Sequence, residues 1–176
     1  KTWLTFDAAV SIATGRPFLG VAPVTRTGPV LIIQQEDYNG QTAERLSVII
    51  HSRLRQTRPH MDGDTAVIPD SPDIPIFIHP DRKLRFDNEE SMKSLRAAVE
   101  KLRPVLVIID PLYAASSTEN FMAEAAGQMS PLKNMRDEFG TSFCIVHHAK
   151  KGSDPRERER LWGSQFLNAF MESGWQ

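Results

Sequence analysis

A run of five aliphatic residues ends directly at an acidic residue, and this feature constrains the fold more strongly than any other. The run is residues 105–109, VLVII, and Asp110 follows it. Because no polar residue interrupts the run, it predicts a strand that is buried on both faces, as in a parallel sheet covered by helices. Asp110 would then lie at the edge where open α/β proteins bind ligands, suited to hold a metal ion through water beside a phosphate. An aspartate that only caps the turn before Pro111 is the equal alternative.

The composition fits one globular domain and excludes several classes of protein. Acidic and basic residues nearly balance, with 22 Asp and Glu against 21 Lys and Arg. A domain-wide positive field is therefore excluded, and any contact with nucleic acid has to be local. The single cysteine, Cys144, excludes a disulfide framework, is expected in the core and suits a reducing cytoplasm. No apolar run is long enough to span a membrane, so we expect a cytoplasmic protein without membrane contact.

Helical and strand patterns alternate along most of the chain. The predicted helices are residues 3–13, 42–55, 89–102 and 123–139, and the predicted strands are residues 30–33, 76–78, 105–109 and 142–146. Residues 56–75 are rich in Pro, Asp and Gly and predict an irregular segment, with one strand candidate at 65–68. The alternation predicts an α/β fold in which helices flank a parallel sheet. Right-handed crossovers would bring the carboxyl ends of all these strands to one edge.

Polar side chains follow three of the predicted strands at this edge. They are Glu36 with Asp37, Asp110, and His147 with His148. Because adjacent residues at a strand end point to opposite sides, we expect only one of the two histidines to face a ligand. A zinc site is not expected, because no cysteine or third histidine lies at ligand spacing from the pair. The other histidines are scattered and are expected at the surface: His51, His60 and His79.

Several short motifs occur in the order found in one large group of nucleotide-binding proteins. Lys1 and Thr2 before a predicted helix resemble the end of a Walker A phosphate-binding loop. Residues 106–112, LVIIDPL, resemble a Walker B strand, and residues 30–37, VLIIQQED, resemble the strand that carries a catalytic glutamate. Further resemblances are residues 15–20, residues 144–150 with the His-His pair, and Gly163 with Ser164. Together these motifs resemble the RecA-like P-loop ATPases of the AAA family, and within them the RepA-type hexameric helicases.

The resemblance implies an ATP site with Mg²⁺ as a cofactor. Lys1 would pair with the β- and γ-phosphates, and Thr2 and Asp110 would hold the magnesium ion. Glu36 would orient the attacking water, since its position matches the glutamate of the family and its stem is longer than that of Asp37. Asp37 could instead cap the helix that follows.

The resemblance also implies the extent of the fold and a sensor for the phosphate. His147 and His148 would lie next to the γ-phosphate and respond to its loss. Residues 1–176 would form a single RecA-like domain, a mostly parallel sheet with helices on both faces. The start of the P-loop is missing before Lys1, so we expect the natural amino terminus to lie upstream.

Two functional classes follow from the resemblance. The first is an ATP-hydrolysing motor or helicase-like protein that assembles as a ring, as a hexamer in the related branch, and acts on single-stranded DNA in replication or repair. The second is a nucleotide-binding regulatory or scaffold module with little or no turnover. A metabolic kinase is disfavoured because no lid or substrate-pocket motif is present. Basic residues within 150–160 would contact DNA phosphates, although a solvated loop is an equal alternative. The arginine finger is Arg158, Arg160 or a residue beyond the chain, unless hydrolysis is feeble.

Overall fold

Helices alternate along the chain with the strands of the parallel sheet, as predicted. The computed structural model describes residues 1–36, 39–54, 60–62, 65–67, 73–80, 84–111 and 121–146. Its helices are α1 (Thr2–Thr14), α2 (Asn39–Leu54), α3 (Glu89–Leu102) and α4 (Phe121–Phe139). Its strands are β1 (Val30–Gln34), β2 (His60–Asp62), β3 (Thr65–Val67), β4 (Ile76–Ile78), β5 (Leu106–Asp110) and β6 (Ser142–Ile145). No helix in these ranges is both long enough and apolar enough to cross a membrane.

Four of the strands form one sheet in the order β4-β1-β5-β6, and every pairing in it is parallel. In the central pair, Val30 lies opposite Leu106 and Gln34 lies opposite Asp110. The carboxyl ends of these strands therefore share one edge of the sheet. This arrangement confirms the predicted α/β RecA-like fold class.

The two faces of the sheet are covered by different helices, because side chains alternate along each strand. Val30, Ile32, Leu106 and Ile108 pack with Phe6 and Val10 of α1 and with Leu46 and Ile49 of α2. The intervening residues Leu31, Ile33, Val107 and Ile109 pack with Leu95 and Val99 of α3 and with Leu132 and Met135 of α4. Each fully buried aliphatic side chain of this kind contributes about 1.5–3 kcal/mol. The uninterrupted apolar runs of β1 and β5 are thus explained by helices on both sides.

The ends of α1 and α3 follow from particular residues. Gly15 ends α1 in the left-handed conformation, with φ of 76°, and its N–H donates to the Ser11 carbonyl at 2.8 Å. Asn88 caps the amino end of α3, since its side-chain oxygen accepts the Ser91 N–H at 2.9 Å.

The connection between α1 and β1 is hydrogen-bonded to α1 and to α2, the two helices that cover one face of the sheet. Asp7 of α1 forms an ion pair with Arg53 of α2 at 2.7 Å and accepts the N–H of Leu19 at 2.9 Å. Arg53 also donates to the Pro17 carbonyl at 2.9 Å. These contacts hold α1 against α2, and they fix the direction in which the amino end of α1 meets the sheet edge.

Three expectations are corrected by the structure. Within residues 56–75, the strand candidate is confirmed as β3, but it pairs with β2 in an antiparallel hairpin that was not predicted. Helix α2 begins at Asn39 rather than at residue 42. His79 is not a surface residue, because it is only 3% exposed at the end of β4 and its N–H donates to the Ile32 carbonyl at 2.8 Å.

Several predicted positions lie outside the described residues. They are Asp37, His147, His148, residues 150–160, Gly163 and Ser164.

Candidate nucleotide site

Thr2 and Asp110 meet where the amino end of α1 reaches the carboxyl end of β5. Thr2 Oγ1 donates a hydrogen bond to Asp110 Oδ2 at 2.7 Å, although the residues are 108 positions apart in the sequence. Asp110 is only 1% exposed, and Thr2 is half-buried. Hydrogen bonds to an ionised carboxylate are among the stronger ones in proteins. The contact therefore brings a hydroxyl and a carboxylate oxygen together at the carboxyl edge of the sheet.

Strand and helix periodicity explain why these two side chains face each other. Asp110 follows Ile108 by two residues, so it points to the same face of the sheet, the one covered by α1. Thr2 precedes Phe6 by four residues, which places both on one side of α1. Phe6 is fully buried against that face of the sheet. The packing of Phe6 therefore determines that the Thr2 hydroxyl lies over the end of β5.

The amino end of α1 is electrostatically suited to an anion. Its first turn contains no acidic residue, and Lys1 is its N-cap, with an exposed side chain. Unpaired N–H groups and the helix dipole give a helix amino terminus a partial positive charge, which is where phosphates bind in many α/β proteins. Lys1 adds a full positive charge at the same position.

Glu36 lies two residues beyond the end of β1 and is exposed. Its backbone N–H donates to the side-chain Oε1 of Gln34 at 3.0 Å. The N–H of Gln35 donates to the Asp110 carbonyl at 2.9 Å, which continues the β1–β5 pairing past the last paired residues. The turn that carries Glu36 is thus attached to the strand end that carries Asp110.

The strand before the histidine pair ends beside β5. Val146, the last described residue, is buried, and its N–H donates to the Ile109 carbonyl at 2.9 Å. The described part of the chain thus brings together Thr2, Asp110 and the Glu36 turn. It contains neither His147 nor His148.

Cys144 lies close enough to Asp110 for the carboxylate to affect its thiol. Its pKa is raised above the ordinary thiol value, first by burial and second by the negative charge of Asp110. The side chain packs against the apolar cluster under α1 and α2, which agrees with the expected core position. A thiol in such an apolar environment is expected to be chemically inert.

Two buried polar residues at this edge were not found in the sequence as site candidates. Gln34 is 2% exposed and lies opposite Asp110 in the sheet, and His79 is buried at the end of the neighbouring strand. The indication for Gln34 was a polar residue that closes an apolar strand two positions before Glu36. For His79, the only indication was its position after a three-residue strand.

The oxygen donors of the site fit a magnesium ion that is carried by phosphates. Among the described residues, no group of three His, Cys, Asp or Glu side chains could hold a metal. Mg²⁺ needs fewer protein ligands, because it keeps several waters and takes the rest of its ligands from one or two carboxylates and the phosphates. The Thr2 hydroxyl and the Asp110 carboxylate, in direct contact, supply donors of this kind.

Comparison with known proteins identifies the family of the chain. No curated protein matches the chain. A family model described as an AAA domain matches residues 1–154, a range that includes Lys1, Thr2, Glu36, Asp110 and both histidines of the pair. Because that range covers most of the 176 residues, the chain belongs to the AAA domain family of nucleotide-binding ATPases.

Proposed function

We propose that this protein binds ATP with Mg²⁺ at the edge formed by α1, β1 and β5, and that it hydrolyses the terminal phosphate. The observation that carries the proposal is the 2.7 Å hydrogen bond between Thr2 and the buried Asp110. A hydroxyl at a helix amino end in contact with a carboxylate at the end of a parallel strand is the ligand pair that a nucleotide-bound magnesium ion requires.

Each of the four residues has one task in the proposed reaction. Lys1 neutralises charge on the β- and γ-phosphates, and the amino end of α1 receives the phosphate oxygens. Thr2 and Asp110 would hold the magnesium ion, which would neutralise charge on the γ-phosphate and on the departing ADP. Glu36 accepts a hydrogen bond from the attacking water and orients it. Its exposed position beyond β1 gives its carboxylate access to a water that arrives from solvent.

In this proposal Glu36 acts in ATP hydrolysis and contributes little to ATP binding. A substitution of Glu36 therefore tests the proposal directly. In the full-length protein, Glu36→Gln removes the charge that polarises the water but keeps the side-chain length. We expect the variant to bind a fluorescent ATP analogue with near-parental affinity and to lose at least about 100-fold in kcat. The two measurements are a fluorescence titration and a steady-state phosphate-release assay.

Glu44→Gln is the matched control, since Glu44 is also an exposed glutamate near the start of α2. It should leave both affinity and kcat unchanged. If Glu36→Gln keeps the parental kcat, Glu36 is not the residue that orients the water.

We further propose that the ATPase works as a ring-forming, helicase-like motor on single-stranded DNA. The support is the resemblance of its motifs to the RepA-type branch and the basic residues within 150–160. With a net charge of −1, contact with DNA has to come from such a local segment.

Light scattering with ATP and Mg²⁺ should give the mass of a closed ring, and single-stranded DNA should accelerate hydrolysis in a salt-dependent way. A monomer that hydrolyses ATP slowly, at a rate that single-stranded DNA does not change, would favour the regulatory or scaffold module.

A further inference from the structure

Gln34 occupies an unusual place for an amide side chain. It is the last residue of β1, is 2% exposed and lies directly opposite Asp110 in the parallel pair. The four residues that precede it in the strand are all buried and apolar. Burying an amide costs free energy unless its polar atoms are hydrogen-bonded. A role in the strand alone would be served better by another aliphatic residue.

The hydrogen bond of this amide goes to the candidate catalytic residue. Gln34 Oε1 accepts the backbone N–H of Glu36 at 3.0 Å. Because alternate residues of a strand point to the same face, Gln34 lies on the same face of the sheet as Ile32 and its cross-strand neighbour Asp110. This is the face from which Thr2 contacts Asp110. The buried amide therefore lies on the face of the sheet that carries the Thr2–Asp110 pair, and it bonds the turn that carries Glu36.

We propose that Gln34 is a positioning residue that holds the Glu36 turn beside the magnesium ligands. The inference rests on the proposed ATPase function. The Gln35 N–H fixes one peptide of the turn to Asp110, and the Gln34 side chain fixes the next one. With both bonds present, two successive peptides of the turn are attached to the end of the sheet beside Asp110. Without the second bond, the exposed carboxylate of Glu36 samples positions from which it cannot orient the water.

The test is the substitution Gln34→Met in the full-length protein, because methionine keeps the length of the side chain and removes the oxygen acceptor. We expect kcat for ATP hydrolysis to fall about 10- to 100-fold, while the Kd for ATP with Mg²⁺ changes less than about threefold. Gln34→Asn keeps an amide but draws it back by one methylene, and it should give the same split between kcat and Kd. Ile32→Val is the matched control on the same strand face, and it should lower stability slightly without changing kcat.

A double-mutant cycle separates positioning from a general loss of structure. If Gln34 acts through Glu36, Gln34→Met should change the residual single-turnover rate of Glu36→Gln by less than about threefold. Multiplicative losses in the cycle, or parallel losses of kcat and ATP affinity, would overturn the inference. So would an unchanged kcat in Gln34→Met alongside normal hydrolysis by the parent. A parent that fails to hydrolyse ATP would instead overturn the proposed function.

Discussion

The hydrogen bond between Thr2 and Asp110 should contribute measurably to folding stability in the absence of any nucleotide. The perturbation is Thr2→Val, which keeps the shape of the side chain and removes the hydroxyl donor. A hydrogen bond to a charged group contributes about 1.5–3 kcal/mol. Asp110 is 1% exposed, so water has little access to replace the lost donor, while the half-buried Thr2 keeps the loss below the upper limit. We expect a loss of about 2 kcal/mol in the free energy of unfolding, or about 4–8 °C in Tm.

Two variants serve as controls for this measurement. Thr2→Ser keeps the hydroxyl and should cost less than about 1 kcal/mol. Thr14→Val removes a hydroxyl from the same helix that donates to the Val10 carbonyl at 2.6 Å and accepts the N–H of Arg16 at 3.4 Å. Because neither contact involves a charged group, this variant should cost less than Thr2→Val. The assay is urea denaturation of the full-length protein without nucleotide, followed by circular dichroism. If Thr2→Val is as stable as the parent, or loses no more than Thr14→Val, the contact with Asp110 does not stabilise the fold.

Two further predictions concern the sheet and the single thiol. A Cβ atom at Gly28 would lie 2.5 Å from Val105 Cγ2, so Gly28→Ala should destabilise the protein by about 1–3 kcal/mol, and Val105→Ala should recover part of that loss in the double variant. Additive losses in thermal melts would contradict this clash. The pKa of Cys144 is raised by burial and by Asp110, so alkylation of the folded protein should titrate above the ordinary thiol pKa, and Asp110→Asn should lower the midpoint. Because the unfolded chain releases this proton first, the contribution of Cys144 to stability should fall as pH rises between the ordinary and the raised value. A midpoint at the ordinary thiol pKa, unmoved by Asp110→Asn, would contradict the assignment.

The parts of the fold that depend on local pattern could be predicted from the sequence. The apolar runs of β1 and β5 identify strands covered on both faces, and α3 has the predicted bounds because its apolar stripe follows the Asn88 cap. The position of Asp110 at the carboxyl edge of the sheet also follows from the run that precedes it. In each of these cases, the residues that determine the structure are neighbours in the sequence or recur at the spacing of a helix or a strand.

The parts that depend on pairing between distant segments could not be predicted in the same way. The burial of Gln34 depends on its register with Asp110, and the burial of His79 depends on the pairing of β4 with β1. The β2–β3 hairpin has strands of three residues, which are too short to show a period. The hydroxyl–carboxylate contact of Thr2 likewise arises only when Phe6 packs α1 onto the sheet.

The most direct test is calorimetric titration of the full-length protein with ATP, once with Mg²⁺ and once with EDTA, in the parent and in Thr2→Val. If the nucleotide lies at the edge where α1 meets β5, the parent binds ATP more tightly with Mg²⁺, and Thr2→Val removes most of that difference. ATP binding that is equal in Mg²⁺ and EDTA, or a magnesium effect that persists unchanged in Thr2→Val, would show that the nucleotide is not held by Thr2 and Asp110.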